Sequence, residues 1–146
     1  MGFAMDPNNH VVKLCMAGMR AEGEGRPGDA KALYEQAWAE HETDYEACIA
    51  AHYLARRQAR IEDELEWNEV ALAKAAGADS TLVSGFYASL HLNLGHSCEK
   101  LGRIDAALTQ FRLAEDCLES VPDGPYKDLV SEGVTNALAR VRQQRP

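Results

Sequence analysis

Apolar side chains recur along this chain at intervals of three and four residues, the spacing that places them on one face of an α-helix. Leu33, Tyr34, Ala37 and Trp38 follow this spacing near the start, and a similar stripe runs through the last twenty residues. No segment shows the alternation of apolar and polar residues that is typical of a strand. The pattern therefore predicts an all-α protein.

The breaks between the stripes predict about seven helices. Asn9, Asp29 and the pair Asp79–Ser80 are predicted to cap helix N-termini, because short polar side chains accept hydrogen bonds from the first free amides of a helix. The third helix is predicted to start near Thr43 and Asp44. The predicted helices cover residues 10–22, 30–40, 44–58, 61–76, 80–101, 104–120 and 126–143. We expect residues 1–8 to be a flexible arm and residues 9–146 to form a single domain.

One spacing of small and aromatic residues occurs twice, with steps of seven, five, four and three residues. A small first residue lets a second helix pack closely, and a glycine at the next position ends the first helix in a left-handed conformation. The positions are Gly18, Gly25, Ala30, Tyr34 and Ala37 in the first copy and Gly95, Gly102, Ala107, Phe111 and Ala114 in the second. A recurring helical hairpin is typical of a stacked helical array.

These positions resemble the tetratricopeptide repeat family, whose pattern places small residues where antiparallel helices meet. The resemblance covers residues 10 to about 120 and implies three hairpins in a short right-handed superhelix, with pairs at about 10–40, 44–76 and 80–120 and a capping helix at about 126–143. Ala51, Trp67 and Val70 mark the middle hairpin, thirty-three residues after the first copy. The next copy begins about ten residues late, and we expect this excess to lengthen the fifth helix at its start.

In this family the first helix of each hairpin lines a concave surface that usually binds a peptide or another protein. The resemblance therefore implies an adaptor that binds a protein or peptide partner in a groove. The groove residues it implies are Met19, Tyr45, His52, Arg56, Asn93, His96 and Lys100, with Val12, Cys15, Glu22, Cys48, Ser89 and Leu92 on the same faces. The basic and amide groups among them suit a carboxylate or an acidic segment, held by charge-assisted hydrogen bonds.

Charge and composition narrow the class of partner. The formal net charge is −8 at pH 7, which argues against binding to nucleic acid or to an anionic membrane surface. No apolar run reaches the ~18 residues of a membrane span, and no signal peptide is visible at the N-terminus. The four cysteines are scattered, so we expect reduced thiols and a cytoplasmic location.

Two alternative functions remain open at this point. In the first, the apolar stripe of the last helix or the groove packs on a second copy of the chain and forms a homodimer. The stripe consists of Val130, Val134, Ala137, Leu138 and Val141. The other alternative is a soft-metal or ligand module, since thiol, thioether and imidazole groups suit Cu(I) or Zn(II). Its residues would be Cys15, Met19, Cys48 and His52.

The sequence favours no enzyme. There is no HExxH motif, no phosphate-binding glycine loop and no nucleophile elbow. His91 and His96 are five residues apart and point to different faces of a helix, unlike a helical zinc pair. We therefore predict no catalytic residue and no cofactor.

Overall fold

In the computed structural model, the structure describes residues 5–144, and within that range every regular element is helical. The elements are α1 (His10–Gly23), α2 (Pro27–Glu40), α3 (Asp44–Ala55), α4 (Ile61–Gly77), α5 (Ser80–Val83), α6 (Tyr87–Lys100), α7 (Ile104–Asp116), a 3₁₀ turn (Leu118–Ser120) and α8 (Pro125–Gln144). The predicted all-α class is confirmed. Residues 1–4 of the predicted arm lie outside the described range.

None of the helices between residues 5 and 144 is both long and apolar enough to cross a lipid bilayer.

The helix N-termini agree with the predicted cap at Asn9 and with the predicted helix start near Thr43. Asn9 accepts a hydrogen bond from the Val12 amide at 3.0 Å, and Thr43 accepts one from Glu46 at 3.1 Å. The prediction for Asp29 is wrong, because α2 begins two residues earlier at Pro27. Proline suits the first helical position, where its missing amide hydrogen has no partner to lose.

The single long helix predicted for residues 80–101 is wrong. The chain forms the short α5, a turn at residues 84–86, and then α6. Gly85 lies in this turn, and a glycine inside a helix costs about 1 kcal/mol relative to alanine. The roughly ten extra residues before the last copy of the repeat therefore form a break between α5 and α6 instead of extending the helix.

The helix predicted for residues 104–120 is also too long. α7 ends at Asp116, and residues 118–120 tighten into the 3₁₀ turn. Pro122 follows closely, and the residue before a proline is disfavoured in helical conformation. The 3₁₀ turn accordingly ends the helical chain before the proline.

The described chain contains two compact units, residues 5–80 and residues 81–144. In the first unit α1 packs on α2, α3 packs on α4, and α3 also contacts α1 and α2. In the second unit α6 packs on α7, and α8 contacts both helices. Each unit thus contains a helical hairpin with a third helix packed against it.

Both hairpins are built around the predicted glycine–aromatic contact. A Cβ atom at Gly18 would lie 2.8 Å from Tyr34 Cδ1, and one at Gly95 would lie 2.6 Å from Phe111 Cδ1. Both aromatic residues are fully buried. The space that a Cβ would need is therefore filled by the ring of the partner helix.

The first helix of each hairpin also ends in the predicted way. Gly25 and Gly102 both have a φ of +76°, in the left-handed region that glycine adopts without strain. The arginine after each glycine donates its amide to the carbonyl five residues back, at 2.8 Å and 2.9 Å. This bond closes the end of a helix in the Schellman motif.

In the middle hairpin Ala51 on α3 is fully buried, but α4 follows a register one residue later than predicted. Asn68 and Ala71 are buried on α4, whereas Trp67 and Val70, which were assigned to the core, are partly exposed. The buried positions therefore lie thirty-four residues after Tyr34 and Ala37 of the first copy, where thirty-three was predicted. Trp67 consequently lies at the edge of the core.

The apolar stripe on α8 is buried within its own unit. Val130 is 5% exposed and the other four residues of the stripe are exposed by 2% or less. A Cβ at Gly133 would lie 3.2 Å from Leu92 Cδ2, so α8 approaches α6 closely. The surface that the sequence offered for a second copy of the chain is thus covered.

Candidate functional site

The predicted groove residues of the first unit differ widely in exposure. Tyr45 and His52 are each 8% exposed, Met19 is partly exposed, and Arg56 is exposed. The Tyr45 hydroxyl accepts a hydrogen bond from the Asp6 amide at 3.2 Å, so the segment before α1 contacts this side chain. Arg56 is the predicted residue of this unit that is best placed to meet a ligand.

His52 cannot supply positive charge at neutral pH. Burial, together with the nearby charge of Arg56, lowers its pKa from 6.5 to about 3. Its ring packs edge-to-face on Tyr53, with the centroids 4.9 Å apart. The imidazole therefore acts as a neutral part of the core.

The predicted groove residues of the second unit lie along α6. Asn93 and His96 are partly exposed and Lys100 is exposed. The His96 ring packs edge-to-face on Phe111, with centroids 5.4 Å apart. Ser89 is buried and is hydrogen-bonded through its hydroxyl to that of Tyr126 on α8, so α8 covers part of this face.

The structure does not favour the soft-metal hypothesis. Cys15 and Cys48 are fully buried, and burial raises the pKa of each thiol to about 12, which opposes the thiolate that a metal needs. Among residues 5–144 no group of three or more His, Cys, Asp or Glu side chains is arranged to hold a metal ion. All four cysteines are free. We therefore propose no metal site for Cys15, Met19, Cys48 and His52.

Glu22 connects α1 to the end of α3 through two arginines. Its Oε1 lies 2.9 Å from Arg56 Nη2, and its Oε2 lies 3.1 Å from Arg57 Nε. The Glu22 side chain is only 12% exposed, whereas the arginines are 47% and 31% exposed. The carboxylate therefore fixes the two guanidinium groups from the protein side and leaves part of each facing solvent.

Tyr34 lies behind this ion pair. Burial, and secondly the charge of Glu22, raises the pKa of its hydroxyl. A side-chain hydrogen bond to Glu22 raises the pKa of the Tyr34 hydroxyl further. No partner among residues 5–144 meets ideal hydrogen-bond geometry at the hydroxyl or at Glu22 Oε2, so the buried hydroxyl interacts with the carboxylate through an imperfect contact.

A hollow of about 400 Å³ lies beside the two arginines, between the start of α2 and the end of α3. We call it the cationic hollow; its lining residues are Pro27, Gly28, Lys31, Arg56, Arg57, Gln58 and Ala59. Lys31 forms no ion pair with any residue between 5 and 144. Three basic side chains therefore border the hollow, and among residues 5–144 the acidic residue that forms ion pairs with them is Glu22.

A second hollow of about 200 Å³ shares Gln58 with the first. We call it the tryptophan hollow; its lining residues are Trp38, Gln58, Asp63, Glu66, Trp67 and Val70. The two indoles pack edge-to-face, with centroids 4.9 Å apart and an interplanar angle of 80°. His41 packs on Trp38 and is hydrogen-bonded to its carbonyl, which helps to hold that indole in place.

Sequence reasoning missed Lys31, Arg57, Trp38 and Trp67 as site residues. Trp67 was assigned to the core because the register of the middle hairpin was placed one residue too early. Trp38 belongs to the apolar stripe of α2, and this position predicts a side chain that packs in the core. Arg57 follows Arg56 directly, and the pair of arginines after an apolar helix was the available signal.

Comparisons of this chain with protein-family models, with curated proteins and with solved structures found no match.

Proposed function

We propose that this chain is a protein-interaction module that binds an acidic segment of a partner protein at the cationic hollow. The observation that carries the proposal is the meeting of Lys31, Arg56 and Arg57 around one hollow on a chain whose net charge is −8. An isolated basic site on an acidic protein attracts carboxylates selectively, because the rest of the surface repels them.

The arginines suit such a ligand because Glu22 already orients them. A guanidinium group that is held by one carboxylate retains further N–H donors, and Arg56 and Arg57 keep 47% and 31% of their side chains exposed. Less side-chain entropy is then lost when a second carboxylate binds. A charge-assisted hydrogen bond of this kind contributes about 1.5–3 kcal/mol when it is shielded from water.

The start of α2 adds to the positive potential. Pro27 and Gly28, the first two residues of α2, line the hollow, and a helix N-terminus carries a partial positive charge. The N-cap residue Arg26 makes no side-chain hydrogen bond to the helix amides. The helix end therefore supports anion binding beside the three basic side chains.

The resemblance to tetratricopeptide repeats supports the same class of function. We propose that the chain acts as an adaptor of this kind in the cytoplasm, which is consistent with its four free cysteines. The proposed contact differs from the groove in the sequence-based prediction, since it uses Arg56 with Lys31 and Arg57 and does not use the buried His52 and Tyr45. Burial of the α8 stripe argues against self-association through that stripe.

The test is titration of the protein with an acetylated and amidated tetraglutamate peptide, with the tetraglutamine peptide as the uncharged control. We expect calorimetry to detect binding of the acidic peptide only, with an affinity that falls as ionic strength rises. Lys31→Gln should weaken the affinity about three- to tenfold, because it removes one cation whose contribution is about 1 kcal/mol.

Two lysines serve as matched controls for Lys31→Gln. Lys13→Gln changes an exposed lysine on α1 that does not line the hollow, and Lys100→Gln changes a predicted groove residue of the second unit. Each control lowers the net charge by the same one unit as Lys31→Gln, and each should weaken the affinity less than Lys31→Gln does. Equal binding of both peptides, or a loss of affinity in Lys100→Gln as great as in Lys31→Gln, would overturn the proposal.

A further inference from the structure

The tryptophan hollow has aromatic walls that the fold leaves partly open. Trp38 and Trp67 are both partly exposed, and their planes meet at 80° to form a corner. Val70 extends the apolar lining along α4. Partly exposed aromatic surface with a polar rim is typical of an interaction site.

The rim of this hollow is acidic. Asp63 and Glu66 are three residues apart on α4 and so lie on one face of the helix. Neither forms an ion pair or a side-chain hydrogen bond with the residues from 5 to 144. Two unpaired carboxylates beside two indoles are complementary to a cation with an apolar stem.

We propose that the tryptophan hollow binds a lysine side chain of a partner protein. The methylene stem lies against the indoles and Val70, and the ammonium group lies between the carboxylates of Asp63 and Glu66. The indole faces attract the same charge through the cation–π interaction. The proposal rests on the proposed function in one respect, namely that the ligand is a protein.

The arrangement of the carboxylates favours lysine over arginine. An ammonium group is a compact charge whose three donors can be divided between two acceptors. A guanidinium group instead pairs best with both oxygens of one carboxylate. Asp63 and Glu66 present separate carboxylates from successive turns of α4, which fits the first geometry.

The shared residue Gln58 connects this inference to the cationic hollow. A partner with a lysine close to an acidic residue would place one side chain in each hollow. Linking the two contacts raises the affinity beyond either alone, because the second contact forms within the complex. We therefore expect the segment that binds here to carry both charges.

Intrinsic fluorescence offers a direct test, because the sequence contains two tryptophans and both line this hollow. The full chain is titrated with Nα-acetyl-lysine amide and, separately, with Nα-acetyl-norleucine amide, which has a similar stem but no charge. Both titrations use constant pH and matched ionic strength. We expect the lysine compound to change the emission with a dissociation constant of roughly 1–10 mM, and the norleucine compound to bind on the order of tenfold more weakly.

The carboxylates are tested with a charge-matched pair of variants. Asp63→Asn with Glu66→Gln should weaken lysine binding on the order of tenfold, because both carboxylates of the hollow are lost. Glu62→Gln with Glu69→Gln changes two acids of the same helix that do not line the hollow and should leave binding unchanged. A difference in lysine binding between these double variants supports the site, whereas an equal effect overturns it.

Three further outcomes decide the proposal. Equal responses to the lysine and norleucine compounds, or no response to either, would show that the two indoles only pack against each other and do not bind lysine. Tighter binding of Nα-acetyl-arginine amide than of the lysine compound would overturn the choice of lysine. Lys31→Gln should leave lysine binding intact while it weakens tetraglutamate binding, so a failure of this site and a failure of the cationic hollow are distinguishable.

Discussion

The hairpin α1–α2 with α3 and the hairpin α6–α7 with α8 repeat the same contacts seventy-seven residues apart. Beyond the glycine–aromatic contact and the Schellman end, the repeat extends to an ion pair. Glu99 corresponds to Glu22 and bonds to Arg140 on α8, with Glu99 Oε2 2.6 Å from Arg140 Nε. In both units a carboxylate on the first helix thus pairs with arginine, which directly follows α3 in the first unit and lies on α8 in the second.

The two units differ where the proposed site lies. Lys31 borders the cationic hollow, whereas its counterpart seventy-seven residues later, Leu108, is 3% exposed and belongs to the core. Tyr34 carries a buried hydroxyl, and its counterpart Phe111 has none. The contacts that build the hairpin are therefore repeated, and the differences introduce polar and charged groups into the first unit.

Alanine substitutions at Gly18 and Gly95 test whether the two glycine–aromatic contacts are equivalent. Gly18→Ala and Gly95→Ala should each lower the free energy of unfolding by about 2–3 kcal/mol, because the added methyl overlaps a buried ring. Chemical denaturation followed by circular dichroism measures both. Gly23→Ala is the matched control, since a Cβ there meets nothing within 4 Å. If Gly18→Ala and Gly23→Ala were equally stable, close packing would not explain the repeated glycine.

Acid should destabilise the two units over different pH ranges. His52 has a folded pKa near 3, below its ordinary 6.5, so the unfolded chain binds the proton first and stability falls as pH drops below 6.5. The loss approaches about 1.4 kcal/mol per pH unit, or about 2 kcal/mol between pH 6.5 and 5. Hydrogen bonds from Arg140 lower the pKa of Glu99, so its contribution in the second unit is lost only below its ordinary 4.5.

Tryptophan fluorescence isolates the first unit in this experiment, because both tryptophans lie within residues 5–80. Denaturation at a series of pH values should show the predicted slope in the wild type and a flatter slope in His52→Gln. Backbone hydrogen exchange of α6–α8 provides the matching curve for the second unit. Identical slopes for wild type and His52→Gln would contradict a neutral, buried imidazole.

The aromatic positions allow a reciprocal exchange. Tyr34→Phe should be neutral or stabilising by up to about 1 kcal/mol, because the buried hydroxyl it removes has no partner in ideal hydrogen-bond geometry and contacts Glu22 only imperfectly. Phe111→Tyr should cost about 1–2 kcal/mol, since it buries such a hydroxyl in the second unit. Thermal unfolding of both variants measures the exchange. A large loss in Tyr34→Phe would mean that the hydroxyl has a partner, which would distinguish the two units further.

Glutamine substitutions at Glu22 and Glu99 compare the contributions of the two ion pairs to stability, and their effects should be smaller than those above. Glu22→Gln and Glu99→Gln should each cost about 1 kcal/mol at pH 7, because the arginines they release are partly solvated. Denaturation at pH 7 in low and in high salt measures the cost of each variant, which should shrink as salt screens these partly exposed ion pairs. A cost for one variant alone would show that the repeated ion pair stabilises only one unit.

The helical class and the hairpin contacts were predictable because they depend on spacing within one or two helices. The contact of Gly18 with Tyr34 depends on the sizes of the two side chains, and the helix end at Gly25 depends on the backbone freedom of glycine. Both properties follow directly from the residue type. The break at Gly85 and the register of α4 were not predictable, since they depend on which neighbours bury each residue. The error of one residue in the register of α4 predicted that Trp67 lies in the core, whereas it lines a hollow.

The candidate site was less predictable than the fold. Arg56 was predicted as a binding residue, but the sequence could not show that His52 beside it in the predicted groove is buried and neutral. Lys31 and Arg57 meet Arg56 through the packing of α3 on α2, a contact between separate helices. No local spacing encodes such a contact.

Chemical-shift mapping of the isotope-labelled chain with the tetraglutamate peptide shows directly whether an acidic segment binds at the cationic hollow. We expect the largest amide shifts to cluster at Gly28, Lys31, Arg57 and Gln58 and to be absent with the tetraglutamine peptide. Shifts centred instead on Asn93, His96 and Lys100, or the same shifts with both peptides, would contradict it.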